Sequence, residues 1–456
     1  MYSLDDTIAA IATSIGQSGV GIVKISGPEA PKIAYTIFRS AKDITQFQPY
    51  RLHYGQIIDP HHDIVLDEAL VVHMPKPHSY TRQDIIEIQS HGSTVALRRI
   101  LQVVLSLGAR LAEPGELTLR AFLNGRLDLA QAESVLDIIE AKTDAALRVA
   151  TDQLGGSLSR QVTAVRHRLL DTLAFLEASI DFVEDEIPLQ DVVGPLHHIC
   201  TELEKLLKTA DQGLIYRQGV KAAIVGQPNV GKSSLLNALL RGDRAIVTDI
   251  PGTTRDTLEE TTNMGGIPLV LVDTAGIRTE TSDEVERIGV QRSQTALERA
   301  DLALMVVDSS RELDDRDWAI ADLIQSKPVI LIINKNDLPT TFPLPPHFLP
   351  KAARVHLSAL TQQGIDQLET EIVNIVMNGH ITLADEPLVS NPRHKALIQQ
   401  ALDHTISAID GQQAGLTPDL VSIDVREAVE ALGSITGETV TEDLLDTIFS
   451  KFCIGK

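Results

Sequence analysis

The spacing of hydrophobic positions changes three times along the chain. In residues 1–120, short alternating or β-branched runs at Thr7–Thr13, Val20–Ser26, Leu52–Ile58, Ile64–His73 and Asp84–Gln89 predict strands. Helical stretches lie between them, one opened by Pro28 and one running from Thr94 to Leu107, where Gly108 ends it. From Glu116 to about Tyr216 apolar residues return every three or four positions. Leu127, Leu129, Ala132, Val135, Leu136 and Ile139 keep that spacing, as does Val162–Phe182, and both predict helices. Asn124-Gly125 predicts a break, and Pro188 with Gly194-Pro195 predicts a turn. Residues 219–378 then alternate strand and helix: VKAAIVG and a helix from Lys232, IPLVLVD and a charged helix, ALMVVD, PVILIIN, ARVHLSA and a last helix. Beyond about Gly379 helices return, at Pro392–Asp410, Pro418–Ser434 and Glu442–Phe449.

This order predicts a multidomain α/β plus all-α protein. Its parts are an α/β domain over residues 1–120, a helical domain assembled from 121–215 and 380–456, and a doubly wound α/β domain inserted at 216–379. Two separate helical bundles would give the same pattern. The 456 residues suit about three domains.

Composition narrows the function classes. The net charge of −22 argues against a whole-surface grip on nucleic acid or anionic lipid, so any such contact is local or belongs to a basic partner. Residues 1–120 hold 11 basic and 12 acidic side chains against 29 and 50 in the rest, together with 6 of the 14 His. The first segment is therefore the better candidate for an anionic ligand. Cys200 and Cys453 cannot build a disulfide framework, the start MYSLDD lacks a signal-peptide pattern, and runs such as Leu302–Val307 and Val329–Ile333 are strand-length. A soluble, cytoplasmic protein without a membrane span is expected.

The insert carries four motifs in order, each expected at the C-terminal end of a strand. Gly226-Gln-Pro-Asn229-Val230-Gly231-Lys232-Ser233-Ser234 follows a strand and opens a helix, the context of a phosphate-binding loop. Its glycines let backbone N–H groups wrap phosphates, Lys232 reaches the β- and γ-phosphates, and Ser233 suits Mg²⁺. Asp273-Thr274-Ala275-Gly276 brings a carboxylate to the metal and a glycine N–H to the γ-phosphate. Asn334-Lys335-Asn336-Asp337 offers Asp337 to N1–H and N2–H of guanine, and the backbone of Ser358-Ala359 suits the guanine O6. A Gly-rich turn explains the first motif alone but not all four, so a GTP-binding domain is expected. Ile277 occupies the place where Ras-type GTPases carry a water-orienting Gln, so that role falls to another group. The acidic stretch Ser282–Arg287 supplies candidates, and its plainer reading is a solvated helix start. In Val247–Asp256, Thr254 is the natural Mg²⁺ and γ-phosphate contact. Backbone carbonyls there, with Asn229, could hold a monovalent cation where an arginine finger otherwise acts. Asn229 as a turn residue and Arg255 as a solvated one are the plain alternatives.

Over its whole length the chain resembles the MnmE (TrmE) family of tRNA-modification GTPases. The resemblance rests on DTIAAIAT, GVGIVKISG, YTRQDIIEIQSHG, PGELTLRAFLNGRLDLAQAE, IPGTTRD, DTAGIR with SDEVERIG, and the terminal FCIGK. It implies an N-terminal domain that binds a tetrahydrofolate derivative (the 5-formyl or methylene form) and forms a homodimer, and a helical domain with the GTPase as an insert. The implied folate residues are Lys24, Glu87, Arg126 and Lys456, where Lys24 often stands as Arg in the family and lacks its bidentate fork. The implied K⁺ ligands are Asn229, Thr248, Ile250 and Thr253, with Mg²⁺ on Ser233 and Thr254 and Glu286 as the catalytic glutamate beside Lys232. Pro251 stands where some members have Ala. The implied partners are tRNA and the FAD-dependent MnmG (GidA), with FAD on that partner alone. The implied reaction places an aminomethyl or carboxymethylaminomethyl group on C5 of the wobble uridine (position 34), and GTP hydrolysis drives the conformational cycle. Cys453 lies near the implied folate end, and a small packing residue is its plainer role. An Era-type ribosome-assembly GTPase and a folate-sensing GTP-switch scaffold are the alternatives.

Overall fold

The structure, a computed structural model, describes residues 4–14, 16–40, 46–181, 191–241, 259–272, 297–339, 343–377 and 388–456. The chain divides into two compact units: 1–136, 153–196 and 403–456 form one, and 137–152 with 197–402 form the other.

In the first unit, β1 (Ile8–Ile11), β2 (Ser18–Ser26), α1 (Ala30–Ile37), β3 (Phe38–Arg39), β4 (His53–Asp59), β5 (Ile64–Met74), β6 (Ile85–Gly92), α2 (Thr94–Ser106) and β7 (Arg110–Leu111) succeed one another. The sheet order is β3-β4-β5-β6-β2-β1-β7, antiparallel except for the parallel β1–β7 pair. Strand alternation sorts its faces. Ala9, Val23, Ile25, Val71, Ile86 and Ile88 pack with Ile33 and Ile37 of α1 and with Leu97, Ile100 and Val104 of α2. Register then puts Lys24 opposite both Ala10 and Glu87, on the other face, where Ile8 and Ala10 cluster with Ala112, Leu117 and Tyr80. The helical part follows. Gly115 (φ 68°) caps the start of α3 (Glu116–Leu123), and Gly125 (φ 69°) turns the chain into α4 (Leu129–Glu140), the break that Asn124-Gly125 predicts. Of the next helices α6 (Ser157–Asp181) belongs to this unit, whereas nearly all of α5 (Asp144–Leu154) and of α7 (Val193–Gln218) belongs to the other.

Gly194-Pro195 is not a turn. It lies in the first turn of α7, where a proline loses no helix hydrogen bond because that N–H has no partner in any helix. Pro188 lies outside the described residues. In the second unit, β8 (Val220–Val225), α8 (Lys232–Leu239), β9 (Glu259–Met264), β10 (Ile267–Val272), β11 (Leu302–Asp308), α9 (Asp315–Ile324), β12 (Val329–Asn334), β13 (Ala353–His356), α10 (Ile365–Val376) and the start of α11 (Pro392–Gln413) follow. The six strands run in the order β13-β12-β11-β8-β10-β9 and are parallel except for the antiparallel edge strand β9, which sequence reading omits. β11, β12 and β10 are buried at every position, as strands covered on both faces must be. The first unit closes with α12 (Pro418–Thr436), which packs along α6, and α13 (Glu442–Phe449). Leu445, Ile448, Phe449 and Phe452 join Leu119, Leu129 and Ala132 in one cluster, which seats the chain's last residues beside α3. Among the described residues no helix is long and apolar enough to cross a membrane.

Candidate active site

The second unit builds a phosphate loop at the C-terminal end of β8. Gly226 (φ 148°) passes so close to β11 that an added Cβ would stand 2.3 Å from the Val306 carbonyl oxygen. Gly231 (φ 101°) would bring a Cβ within 2.2 Å of Asn334 Nδ2, so both positions need glycine for space as well as for conformation. Between them Asn229 takes a left-handed conformation (φ 65°), which Asn tolerates better than most residues. Lys232 folds over the loop, its Nζ donating to the carbonyls of Gly226 (2.9 Å) and Gln227 (2.7 Å), and burial lowers its pKa. Ser233 and Ser234 are exposed in the first turn of α8, with Val230 buried beneath them. A helix N-terminus behind a glycine-shaped loop with an ammonium across it is chemistry for an anionic phosphate chain.

The base-side motifs meet this loop directly. Asn334, ending β12 and 2% exposed, donates from Nδ2 to the Val230 carbonyl (2.8 Å) and accepts at Oδ1 from the Ala359 N–H (3.0 Å). One amide therefore ties the phosphate loop to the Ser358-Ala359 turn. The Ser358 hydroxyl donates to Asp337 Oδ1 (2.5 Å), orienting the exposed carboxylate predicted to read guanine. Lys335 stands between them in a left-handed conformation (φ 66°), its Nζ 2.6 Å from Asp308 Oδ2. The structure thus brings Asn229, Val230, Gly231, Lys232, Asn334, Lys335, Asp337, Ser358 and Ala359 to one end of the sheet. Thr248, Ile250, Thr253, Thr254, Asp273, Thr274, Ala275, Gly276 and Glu286 lie outside the described residues, as do Ile277 and the charged helix predicted after Asp273. Sequence reading missed Asp308, Gln227 and Asp314, although the carboxylate closing ALMVVD repeats the strand-end placement of the motifs it did find.

A second polar site lies in the first unit. Lys24 Nζ is 3.4 Å from Glu87 Oε1 on the sheet face away from α1 and α2. Tyr80 packs on that face beside Ile8 and Ala10, its hydroxyl 2.9 Å from that of Thr118, and the Arg126 guanidinium lies 4.6 Å from its ring centroid. Burial pushes the Tyr80 phenol up. The chain end reaches the same strand. Gly455 (φ 96°) passes against Ile11 and Ala12, the Leu117 N–H donates to the Lys456 carbonyl (3.2 Å), and the Gly115 N–H to that of Cys453 (3.4 Å). The Lys456 side chain and Cys453 are exposed, whereas Cys200 is buried. Lys24 thus pairs with Glu87 across β2 and β6, Arg126 lies over the Tyr80 ring, and the backbone of the chain end runs beside β1 and α3. Beneath them the YTRQ and AFLNG segments interlock: Asn124 Nδ2 donates to the Thr81 carbonyl (2.7 Å) and Arg82 to that of Asn124 (2.9 Å).

A doubly wound sheet whose strand ends carry a phosphate loop, an Asn-Lys-Asn-Asp turn and a Ser-Ala turn bonded to one another defines a P-loop GTPase. Comparison with known proteins then narrows the class. The family model described as "MnmE helical domain" matches residues 129–453, and "GTP-binding protein TrmE N-terminus" matches 7–126. Proteins named "tRNA modification GTPase MnmE" are similar along the whole chain. That of Chloroflexus aurantiacus is 50% identical over 99% of this chain and all of its own length, and that of Desulforamulus reducens 48% identical over the same shares. The chain belongs to the MnmE family of tRNA modification GTPases.

Proposed function

We propose that this chain is a GTP-hydrolysing enzyme of tRNA modification. On this reading it uses a tetrahydrofolate one-carbon unit and an FAD-dependent partner of the MnmG type to modify C5 of the wobble uridine, in the cytoplasm, as a homodimer through its N-terminal domain. The observation that carries the GTPase part is Asn334, whose amide joins the phosphate loop to the turn beside Asp337. Phosphate and base contacts are thereby set by one buried side chain. Lys232 and the N–H groups of the loop would hold the phosphates, Ser233 with Thr254 the Mg²⁺, and Asp337 the guanine edge. Asn229 fits a K⁺ ligand of the first switch set (Thr248, Ile250, Thr253), and Glu286 would orient the water in place of the absent Gln. In the first unit, two cationic side chains, a carboxylate and an aromatic face suit an anionic, glutamate-tailed folate with a hydrogen-bonding pterin.

The match of one family model across both helical stretches favours this reading over an Era-type GTPase. The test is nucleotide exchange. Asp337→Asn should weaken GTP and favour xanthosine triphosphate, because an amide can donate to the xanthine O2 but cannot accept both guanine protons. Unchanged selectivity would remove Asp337 from the base site.

A further inference from the structure

The loop from Asp308 to Asp314, between β11 and α9, supplies none of the four nucleotide motifs, yet it grips two of them. Asp308 is 9% exposed and uses both carboxylate oxygens: Oδ2 holds Lys335 Nζ at 2.6 Å, and Oδ1 accepts from the Ser310 N–H (2.9 Å) and hydroxyl (2.6 Å). Ser309 continues the grip on the same turn, its N–H donating to the Asn334 carbonyl (3.0 Å) and its hydroxyl to the Lys335 carbonyl (3.1 Å). At the other end of the loop Asp314 accepts from Gln227 of the phosphate loop, and also caps α9 in a capping box with Asp317.

Lys335 needs such restraint. Its backbone is in the left-handed region, which is unfavourable for a side-chain-bearing residue and persists only where surrounding bonds over-determine it. An unrestrained lysine also has rotamer entropy to lose on meeting a ligand. Burial alone would raise the Asp308 pKa, but the bonds from Lys335 and Ser310 outweigh it and hold the carboxyl below its usual value. It is therefore ionised at neutral pH and presents a fixed charge to the ammonium.

We propose that Asp308 is the positioning residue of the nucleoside site: it fixes Lys335 in the conformation in which the lysine lines the bound nucleoside. The proposal rests on the nucleotide-site reading above and extends it to a residue outside the motifs. Lys335 lies between Asn334, which faces the phosphate loop, and Asp337, which faces the base edge. A lysine there meets the ring face or the sugar, neither of which distinguishes guanine from hypoxanthine. Loss of Asp308 should therefore weaken guanine and hypoxanthine nucleotides by the same factor, whereas loss of Asp337 changes their ratio.

The experiment measures dissociation of mant-GDP and mant-IDP from the full-length protein by stopped-flow fluorescence, for wild type, Asp308→Asn, Lys335→Ala and the double variant. The expected result is release about tenfold faster from Asp308→Asn for both nucleotides, with the double variant no faster than Lys335→Ala alone. Unchanged release, or factors that multiply in the double variant, would overturn the proposal even where apo-protein melting shows that the variant has lost stability. A wild-type protein that binds neither nucleotide would instead overturn the nucleotide-site reading and this inference with it.

Discussion

Arg120 offers the sharpest energetic test of the first unit, because it is a guanidinium 1% exposed with every donor engaged. Nε and Nη2 donate to Glu116 (3.2 and 2.8 Å), Nη2 also to Asp6 Oδ1 (2.5 Å), and Nη1 to the Asp6 carbonyl (2.9 Å) and Gln83 Oε1 (3.1 Å). Arg120→Met fills similar volume and removes all five bonds. Breaking a buried pair from one side costs about 3–5 kcal/mol. Arg110 still reaches Asp6 (2.9 Å) and Glu116 (2.6 Å), which places the expected loss near the lower limit, about 3 kcal/mol. For a unit of this size that lowers the melting point by about 6–12 °C. The loss should also depend on pH. Burial alone would raise the pKa of both Asp6 and Glu116, but the hydrogen bonds and charges of Arg110 and Arg120 prevail and hold both below their usual values. A carboxylate with a depressed folded pKa stabilises the fold above its unfolded pKa, and that contribution disappears as pH falls through the folded value. The gap between wild type and Arg120→Met should therefore be widest near neutrality and close below about pH 4. Scanning calorimetry with excess GDP and Mg²⁺ separates the transitions, since the nucleotide raises that of the unit that binds it. A shift below about 2 °C at pH 7, or a gap of constant size down to pH 3, would refute the reasoning.

Five further outcomes are expected. Gly231→Ala should abolish GTP binding in a filter or calorimetric assay, because the added methyl displaces Asn334 Nδ2, while the transition of the first unit stays in place. Lys24→Ala and removal of Lys456 should each weaken 5-formyltetrahydrofolate binding by calorimetry while leaving GTP hydrolysis intact; binding untouched by either would separate the two chain ends from the folate site. Hydrolysis should run much faster in K⁺ than in Na⁺ at equal ionic strength, and Glu286→Ala should retain GTP affinity while losing most turnover. Val149→Ala should destabilise the nucleotide-binding unit by about 2 kcal/mol in denaturant titrations, as expected when a well-packed aliphatic group is removed from a core.

The phosphate loop, the Asn-Lys-Asn-Asp turn and the Ser-Ala turn were legible because each is local: a few consecutive residues carry the glycine freedom, the charge and the carboxylate proposed to read the base, and each follows the end of a strand. Asp308 and Gln227 were not, because their partners are 27 and 87 residues away. In one dimension Asp308 is only the last residue of a buried strand, and nothing in its neighbourhood names Lys335. Arg120 is harder still. It sits in LTLRAFL, where a lysine- or arginine-bearing helix ordinarily turns its charge to water; Glu116 is an i,i+4 neighbour on the same helix, but only the fold brings Asp6 and Gln83 to it. Strand β9 escaped because the run EETTNM is polar: as an edge strand it needs no second apolar face.

Residues 137–152 make the same point for domain boundaries. Their apolar spacing is helical, like that of the stretches before and after them, and sequence reading assigns the whole run to one helical domain. In the structure this piece packs with the other unit. Val149 is a member of the core that contains Ile267 and Leu269 of β10, Ala145 lies against that core, Lys142 donates to Thr261 of β9 (3.3 Å), and the Asp137 carboxylate meets Arg217 at 2.7 Å. A hydrophobic stripe at helical spacing says that one face must be covered but not by what, since an aliphatic surface accepts any neighbour of the right shape. Lys142, Asp137 and Arg217 add polar contacts to that covering, and their partners lie up to 119 residues away. For the same reason residues 216–379 excised alone would lose the helix face that covers part of their core. Such a fragment should melt lower than the same unit within the full chain.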